Sequence, residues 1–379
     1  MKALLACIAY FALGISAAIA SGYGDFNSGV AAANRDDADN TIKYLTLAIA
    51  ESDLPAHLLP DAHVTRGIAY DSQRKYDAAI ADYSAAIALR PTYTRAYLER
   101  CGTHGLKKEY DAAIADCSAA IRLQPEDWRL YAMRIDQYLA AKRYDDALAD
   151  YALFIAKRPD DIDLKAARAD ILRQSGRMSE AIASATALRD ASPKYVSPHL
   201  ELGLIYFANN DLQKSLDSFS AVADIAKKDP TALIFRGQAE WALGKFDDAE
   251  SSFEDALDLD ELQPYSFLWL EITRARRSHK QSSRIAARFA ATDLTLWPGP
   301  LILLYLNKST PAEAMTARAT AADSGSAYRC LTDFFVGEWY EQQGNNGEAR
   351  RLLQEASGTV CDDDWRTQKF AAIDLARLP

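Results

Sequence analysis

The sequence predicts an all-α chain, built as a superhelical solenoid of about ten stacked helix-turn-helix units. The phrase "YDAAIADYSAAIALRP" begins at Tyr76, and "YDAAIADCSAAIRLQP" begins 34 residues later at Tyr110. A third version, "YDDALADYALFIAKRP", begins at Tyr144 after the same interval. The chain has 379 residues, whereas single cores usually stop growing near ~250–300 residues. Growth by repetition along one dimension accounts for this length.

Within each phrase, the apolar residues have the spacing of a helix. Ile80, Tyr83 and Ile87 recur at intervals of three and four residues, which predicts one apolar stripe along a helix. Gly67, in the segment before this phrase, is small enough for two neighbouring helices to approach closely. Pro91 cannot continue a helix, so it marks the point where the next unit begins.

The period of 34 residues and these residue types resemble the tetratricopeptide repeat (TPR), which is a helix, a tight turn and a second helix. The resemblance implies a right-handed superhelix whose first helices line a concave, partner-binding face. The residues of the first clear unit that carry the resemblance are Gly67, Tyr70, Ala79, Tyr83, Ala86 and Pro91.

The repeat pattern divides the chain into regions of different regularity. We expect a signal peptide at 1–20 and a TPR solenoid at 21–379. Within the solenoid, strong repeats cover 60–264, degenerate repeats cover 265–324, and a C-terminal repeat with a closing helix covers 325–379. Inside the degenerate region, Thr310 and Glu313 have the spacing of a helix-capping box. The predicted first residues of units are Pro60, Thr94, Trp128, Ile162 and Val196.

The N-terminus has the features of a secretory signal peptide. Lys2 precedes an apolar run that ends in Ala18-Ile19-Ala20, which predicts cleavage after Ala20 and a periplasmic or secreted protein. An uncleaved membrane anchor is the alternative. The stretch from Leu4 to Cys7 resembles a lipoprotein cysteine motif, but no apolar run precedes it, so we interpret it as coincidence.

The net charge and the absence of known catalytic motifs exclude several classes of function. The chain has 43 Lys and Arg against 53 Asp and Glu, a net charge of −10, and no polybasic run. We therefore expect no binding to nucleic acid or to anionic membranes, and no membrane span after signal cleavage. Phosphate-binding, zinc and nucleophile motifs do not occur, so we expect no catalytic residues, metal or cofactor. Asp146 and Asp150, four residues apart, are interpreted as exposed surface acids.

The family resemblance also points to candidate partner-binding residues. Arginines at the mapped positions could contact carboxylates, and large aromatic side chains could supply contact area. The alternative for Trp241, and still more for Trp269, is that they fill gaps between imperfect repeats. The residues that clamp chaperone termini in some TPR proteins are absent, so that activity is not carried over. The predicted partner-binding residues are Arg95, Arg129, Asp136, Asp170, Arg173, Phe207, Gln238 and Trp241.

These observations favour an exported, non-catalytic scaffold that binds protein or peptide partners on its concave face. One alternative is an enzyme whose site lies in residues 264–324, where Glu271, His279 and Asp293 are the available groups. A third hypothesis is that the chain is a self-assembling structural protein. The identity of the partner and the oligomeric state stay open.

Four cysteines remain after signal cleavage, an even number for an oxidising compartment. The two helices of a unit run antiparallel, so facing positions add up to about 31 in the repeat register. Cys101 and Cys117 occupy such positions, and so do Cys330 and Cys361. We therefore predict the disulfides Cys101–Cys117 and Cys330–Cys361, with buried free thiols as the alternative.

Overall fold

A computed structural model describes residues 22–277, 283–320, 326–358, 361 and 365–378. The chain divides into two compact units, Met1–Pro159 (unit 1) and Asp160–Pro379 (unit 2). The described residues form 21 helices and no strand, and none of these helices has both the length and the apolarity needed to cross a membrane. The predicted signal peptide at 1–20 lies outside the described residues.

Unit 1 consists of four antiparallel helix pairs, in which each helix packs against the one before it. The first helices of the pairs start at Gly22, Leu59, Thr94 and Trp128, and the last three starts lie on or within one residue of the predicted Pro60, Thr94 and Trp128. The helices are α1 (Gly22–Ala33), α2 (Ala38–Ala50), α3 (Leu59–Ser72), α4 (Tyr76–Leu89), α5 (Thr94–Leu106), α6 (Tyr110–Leu123), α7 (Trp128–Ala140) and α8 (Tyr144–Lys157).

Unit 2 begins with three further pairs, continues through shorter helices, and recovers one more pair before a closing helix. Its helices are α9 (Ile162–Gln174), α10 (Met178–Ala191), α11 (Val196–Ala208), α12 (Leu212–Ile225), α13 (Pro230–Ala242), α14 (Phe246–Leu259), α15 (Pro264–Arg276), α16 (Ser283–Ala290), α17 (Gly299–Tyr305), α18 (Pro311–Thr320), α19 (Ser326–Gln342), α20 (Asn346–Ala356) and α21 (Trp365–Leu375).

Small residues let the two helices of a pair come together. A Cβ atom added to Gly67 of α3 would lie 2.6 Å from the ring of Tyr83 on α4, and one added to Gly203 of α11 would lie 2.3 Å from Phe219 on α12. Both distances are shorter than atoms can approach, so the aromatic ring fits only against glycine. This explains the glycine midway along the first helix of these two units.

The turn inside each pair has the same backbone shape. One residue, always at the fifteenth position of its repeat, adopts a positive φ. Glycine suits this conformation, and other residues pay about 1 kcal/mol for it. The residues with this φ in the eight pairs are Asp36, Arg74, Lys108, Lys142, Gly176, Asn210, Gly244 and Gly344.

Unit 1 also contains a series of buried ion pairs that hold helix pairs together. Arg134 on α7 donates from Nε and Nη2 to the two carboxylate oxygens of Asp150 on α8, at 2.8 and 2.6 Å. The two side chains are 16% and 6% exposed. The interpretation of Asp150 as an exposed acid was therefore wrong. The equivalent pairs one and two repeats earlier are Arg100–Asp116 and Arg66–Asp82.

Around the degenerate region, a buried cluster of aromatic side chains adds to the regular helix contacts. Trp241, Trp269, Phe334 and Phe253 belong to one buried apolar cluster of unit 2, which the shorter helices α16, α17 and α18 extend. The predicted capping box is confirmed, because Glu313 accepts a hydrogen bond from the backbone N–H of Thr310 at 2.8 Å and the Thr310 hydroxyl accepts one from the N–H of Glu313. This region is therefore helical, and its packing includes the aromatic cluster.

Candidate partner-binding surfaces

Unit 1 has an open groove across three successive first helices. A cavity of about 350 Å³ is lined by α1, α3 and α5 and by the start of α2, and we call it the unit 1 groove. Ile68 and Ser72 of α3 form part of its wall, and Arg95 of α5 stands beside them. The Arg95 side chain is 55% exposed, and its Nε lies 3.4 Å from the Glu99 carboxylate. A predicted partner-binding residue therefore borders a real depression and is accessible to solvent.

Arg129 and Asp136 belong to α7 of the same unit. Arg129 is 71% exposed and forms a salt bridge of 2.7 Å with Asp127, the residue that caps the start of its helix. Asp136 reaches solvent, yet partial burial among its neighbours raises the pKa of its carboxyl. Both side chains are available to a partner.

A second, apolar cavity in unit 1 was not expected from the sequence. It measures about 310 Å³, and Trp128, Tyr131, Leu153 and Phe154 line it. Trp128 is 55% exposed, and the Arg158 guanidinium lies 5.2 Å from its ring centroid. The signal for this cavity was present in the repeat register. Phe154 occupies the position that Ala86 and Ala120 hold in the two preceding units.

In unit 2, the candidate residues surround a groove that is already occupied. We call the surface formed by Arg173, Phe207, Trp241 and Trp269 the unit 2 groove. These residues come from the first helices α9, α11, α13 and α15. The closing helix α21 lies on them. The Phe370 ring centroid is 4.8 Å from that of Phe207 and 4.7 Å from that of Trp269.

The start of α21 packs against the same groove. The guanidinium of Arg173 lies 4.3 Å from the ring centroid of Trp365, and the Trp365 ring is 6.1 Å from Phe207. Arg173 also binds Asp170 through Nε at 2.8 Å. Gln238 lines a cavity of about 290 Å³ that remains beside α21. The structure therefore brings the five predicted unit 2 residues into one neighbourhood.

The prediction that Phe207 and Trp241 are open to a partner needs a correction. Phe207 and Trp241 are only 2% and 0% exposed, so they do not offer surface to a partner as long as α21 is in place. The physical reason is that large aromatic side chains on an open face would leave much apolar area in water. Here the chain covers that area with its own helix. The alternative reading, in which Trp241 and Trp269 fill space inside the protein, describes their surroundings better.

Lys369 on α21 and Arg377 in the turn after it attach this C-terminal segment to the ends of two first helices. Lys369 donates to the carbonyl oxygen of Ala208 at 3.3 Å, and Arg377 donates to those of Trp241 and Ala242 at 3.1 and 2.7 Å. The last carbonyls of a helix lack partners within it and carry partial negative charge, which attracts cations. Burial lowers the pKa of Lys369.

A buried ionic cluster holds the other side of α21. The guanidinium of Arg276 on α15 lies 2.5 Å from Asp374 of α21 and 3.1 Å and 2.5 Å from Glu338 and Glu341 of α19. The three carboxylates are close enough to one another for a metal ion, but Arg276 already supplies a cation to all three. Burial and the neighbouring Asp374 raise the pKa of Glu338 well above its ordinary value.

Glu201 on α11 is a titratable group that the sequence reasoning missed. Its Oε2 is buried without a hydrogen-bond partner. Burial raises the pKa of this carboxyl to about 8, with a further contribution from Asp170 that Arg173 partly offsets. Glu99 has the same repeat position in unit 1. The repeat register therefore identifies the position of Glu201, but it does not predict that the Glu201 carboxyl is buried.

The groups proposed for an enzymatic site in residues 264–324 have other contacts. Glu271 is 7% exposed and faces Arg274 on the same helix at 3.8 Å. Asp293 accepts hydrogen bonds from the N–H and hydroxyl of Thr295 in its own loop. His279 lies outside the described residues. This arrangement gives no support to a shared catalytic site.

Both predicted cysteine pairs lie at bonding distance. The sulfur atoms of Cys101 and Cys117 are 2.11 Å apart, and their Cα atoms are 5.6 Å apart. Cys330 and Cys361 have values of 1.99 and 5.7 Å. The first pair joins α5 to α6 at the position where other units place a glycine against an aromatic ring. The second pair fixes the chain four residues before α21.

Comparison with known proteins agrees with this architecture. Tetratricopeptide repeat models match residues 60–93, 107–162, 166–230 and 235–271. These ranges together make up about half of the chain, and the chain belongs to the tetratricopeptide repeat family. They end at residue 271, so α21 lies outside them.

Individual relatives are distant. The "Lipoprotein NlpI homolog" of Haemophilus influenzae is 22% identical over 190 residues, which are 49% of this chain and 60% of that protein. The chain thus matches less than two thirds of that relative's length. A tetratricopeptide repeat protein from Parabacteroides merdae has a TM-score of 0.47 at 15% identity, over 66% of this chain and 98% of that one. Yeast Tom70 has a TM-score of 0.39 at 13% identity, over 94% and 96% of the two chains.

Proposed function

We propose that the protein is an exported scaffold that binds protein or peptide partners, and that the unit 1 groove is its accessible contact surface. The observation that carries the proposal is the cavity across α1, α3 and α5, with the exposed Arg95 at its edge. Large pockets with a few polar groups are where ligands usually bind. The position on first helices is the one that the family resemblance implies for a concave, partner-binding face.

Two exposed arginines on first helices of unit 1 favour a partner with carboxylate groups: Arg95 borders the groove, and Arg129 lies on the next first helix, α7. Arg95 and Arg129 are both exposed, and each is held only by an acid close to it on its own chain. Exposed ion pairs contribute about 0–1 kcal/mol, so an incoming carboxylate can replace Glu99 or Asp127 at little cost. An acidic peptide segment is therefore the partner that this surface fits.

Site-specific photo-crosslinking in the native host tests the proposal. A photoreactive residue at Ser72, in the wall of the unit 1 groove, should capture a partner. The same residue at Ala81, exposed on the second helix α4, should not. Equal capture from both positions would contradict a groove-specific contact.

Charge reversal tests the chemistry. The double variant Arg95→Glu and Arg129→Glu should weaken capture by at least about tenfold while the free energy of unfolding changes by no more than ~0.5 kcal/mol, as is usual for exposed residues. Arg122→Glu on α6, also exposed, is the control for reversing one charge away from the groove, and it is compared with each single variant, Arg95→Glu and Arg129→Glu. A loss of stability as large as that of the core variant Ala79→Leu would show that the arginines are needed for packing.

Export is a separate part of the proposal. It is supported by the sequence of residues 1–20 and by two cysteine pairs at bonding distance, since disulfides persist in oxidising compartments. The mature protein isolated from the host should begin at Ser21 by N-terminal sequencing. An intact Met1 would show that the segment is retained.

A further inference from the structure

The position of α21 is unusual for the closing helix of a stacked solenoid. In such proteins each unit contacts only its neighbours, so a closing helix needs to contact only α19 and α20. Here Lys369 of α21 bonds to Ala208, which is 161 residues earlier. The helix therefore does more than cover the last pair, because it lies along the groove of several earlier pairs in the same unit.

The earlier pairs stack directly on one another, without α21 between them. Consecutive helices from α11 to α15 pack directly against one another. Within them, Gly203 lies against Phe219 and Gly237 against Phe253, as in the regular repeat of unit 1. The unit 2 groove therefore has its own supporting scaffold, to which α21 is added.

The contacts of α21 define what the groove binds. Two aromatic side chains, Trp365 and Phe370, sit against Phe207, Trp269 and the guanidinium of Arg173. Two cations reach the carbonyl ends of first helices, since Lys369 of α21 bonds to the end of α11 and Arg377, in the turn after α21, bonds to the end of α13. The groove thus recognises an amphipathic helix with aromatic anchors, a basic side chain on the helix and a second one just after it.

The fit of α21 is incomplete. A cavity of about 290 Å³ remains beside it, lined by Phe235, Gln238 and Tyr265 among others. One guanidinium, that of Arg276, faces three carboxylates in this cluster, those of Glu338, Glu341 and Asp374. Buried acids that outnumber their cation cost free energy, and a helix without Asp374 would avoid part of this cost.

We propose that α21 and the turn after it are an internal ligand of the unit 2 groove, and that an amphipathic helix of another protein takes its place, with two aromatic anchors, one basic side chain on the helix and one just after it. Because α21 is attached to the same chain, its effective concentration at the groove is on the order of millimolar. It therefore excludes weak ligands and yields only to helices that bind more tightly. Unit 2 is then a closed second interaction surface, independent of the unit 1 groove.

A labelled synthetic peptide with the sequence of residues 365–378 tests the proposal on the full chain. In the wild-type protein the groove is filled, so the peptide should bind weakly. In Phe370→Ala the internal helix loses its central anchor, and the peptide should bind at least about tenfold more tightly by fluorescence anisotropy. A peptide that carries alanine in place of both aromatic residues should bind neither protein.

Phe289→Ala is the matched control variant. Phe289 is buried in the same apolar cluster and packs on Phe267 at 4.6 Å, so its loss should cost similar stability without opening the groove. Lys369→Ala with Arg377→Ala is a second way to release α21 that leaves the aromatic cluster intact. This variant should also gain affinity for the peptide.

Three outcomes would overturn the proposal. Equal peptide binding by wild type, Phe370→Ala and Phe289→Ala would show that α21 does not compete for the groove. Loss of helical circular dichroism in both α21 variants would show that α21 is an essential part of the core. Dimers of the α21 variants by light scattering, with no gain for the peptide, would identify the occupant as a second copy of this chain.

Discussion

Unit 1 and unit 2 are built from the same repeat, but their grooves are in opposite states. In unit 1 the groove bordered by Arg95 is open to solvent. In unit 2 the corresponding first helices are covered by α21, and Trp241 is fully buried. Most unit 1 contacts named above join neighbouring helices, as from Arg134 to Asp150. Several in unit 2 join residues about a hundred or more positions apart, as from Arg276 to Asp374.

The difference shows how one repeat can supply two kinds of surface. In unit 1, small side chains and buried ion pairs between adjacent helices leave the first-helix face free for other molecules. In unit 2, aromatic residues on first helices make that face apolar, so it has to be covered. The same scaffold is therefore open or closed according to the side chains at a few positions of the register.

The largest effect should come from removing a buried aromatic side chain, and its reach should differ between the units. Trp269→Ala and Tyr83→Ala should each cost about 3–5 kcal/mol of unfolding free energy. Hydrogen exchange should accelerate across α13, α14, α19 and α21 in Trp269→Ala, since Trp269 contacts Trp241, Phe253, Phe334 and Phe370.

In Tyr83→Ala the acceleration should stay within α3, α4 and α5. Tyr83 touches Gly67 and donates its hydroxyl to Asp71 at 2.8 Å, both on α3. Acceleration in α7 and α8 would contradict the view that unit 1 is held by local contacts.

The buried ion pairs of unit 1 should matter far more than the exposed ones. Arg134→Ala leaves Asp150 buried without its cation and should cost about 3 kcal/mol or more. Arg129→Ala on the same helix should cost no more than ~0.5 kcal/mol, because Arg129 is 71% exposed. Urea unfolding measures both.

Replacement of the whole pair sharpens this result. Arg134→Met with Asp150→Leu should recover much of the stability, since two apolar groups leave no unpaired charge. If the double variant is no more stable than Arg134→Ala, the ion pair itself, and not the stranded carboxylate, accounts for the loss.

The regular part of the fold could be predicted from the sequence, because each contact there repeats with the register. The predicted units from Thr94, Trp128, Ile162 and Val196 start at the first residues of α5, α7, α9 and α11. The capping box at Thr310 also depends on local geometry alone. Such features are decided by residues close together in the chain, so a single sequence contains them.

The occupied groove could not be predicted in this way. The closing helix itself was expected, but its place was not, because Phe370 meets Phe207 across 163 positions with no repeat between them. Asp150 was misjudged because its arginine lies on the preceding helix, which a search along one helix does not include. Long-range packing determines these features, and the repeat register does not predict which distant residues come into contact.

The two cysteine pairs should stabilise different parts of the chain. Replacing Cys101 and Cys117 by serine should cost about 3 kcal/mol, and so should replacing Cys330 and Cys361, since each bond restricts the unfolded chain. Hydrogen exchange should accelerate in α5 and α6 in the first variant and in α21 in the second. Non-reducing peptide mapping of exported protein checks the bonds themselves. Four alkylated thiols, or a Cys117–Cys330 link, would refute the pairing.

The smallest expected effect is on the pH dependence of stability. It concerns two glutamates at the same repeat position, Glu99 in unit 1 and Glu201 in unit 2. The folded-state pKa of Glu201 is about 8, against an ordinary value of 4.5. Between these two pH values the folded chain holds a proton that the unfolded chain has released. The contribution of Glu201 to the free energy of unfolding is therefore largest below about pH 4.5. It falls by up to ~1.4 kcal/mol per pH unit as the pH rises to about 8, and then levels off.

Glu201→Gln removes this titration and should flatten that part of the stability profile. The variant should equal wild type at about pH 4, below the ordinary pKa of a glutamate, and exceed it at about pH 8, as measured by urea unfolding at each pH. Glu99→Gln is the control, since the Glu99 side chain is 33% exposed beside Arg95 and its replacement should leave the profile unchanged. If Glu201→Gln has the same pH profile as wild type, Glu201 is solvated in unit 2 much as Glu99 is in unit 1, and the two grooves differ less than their burial indicates.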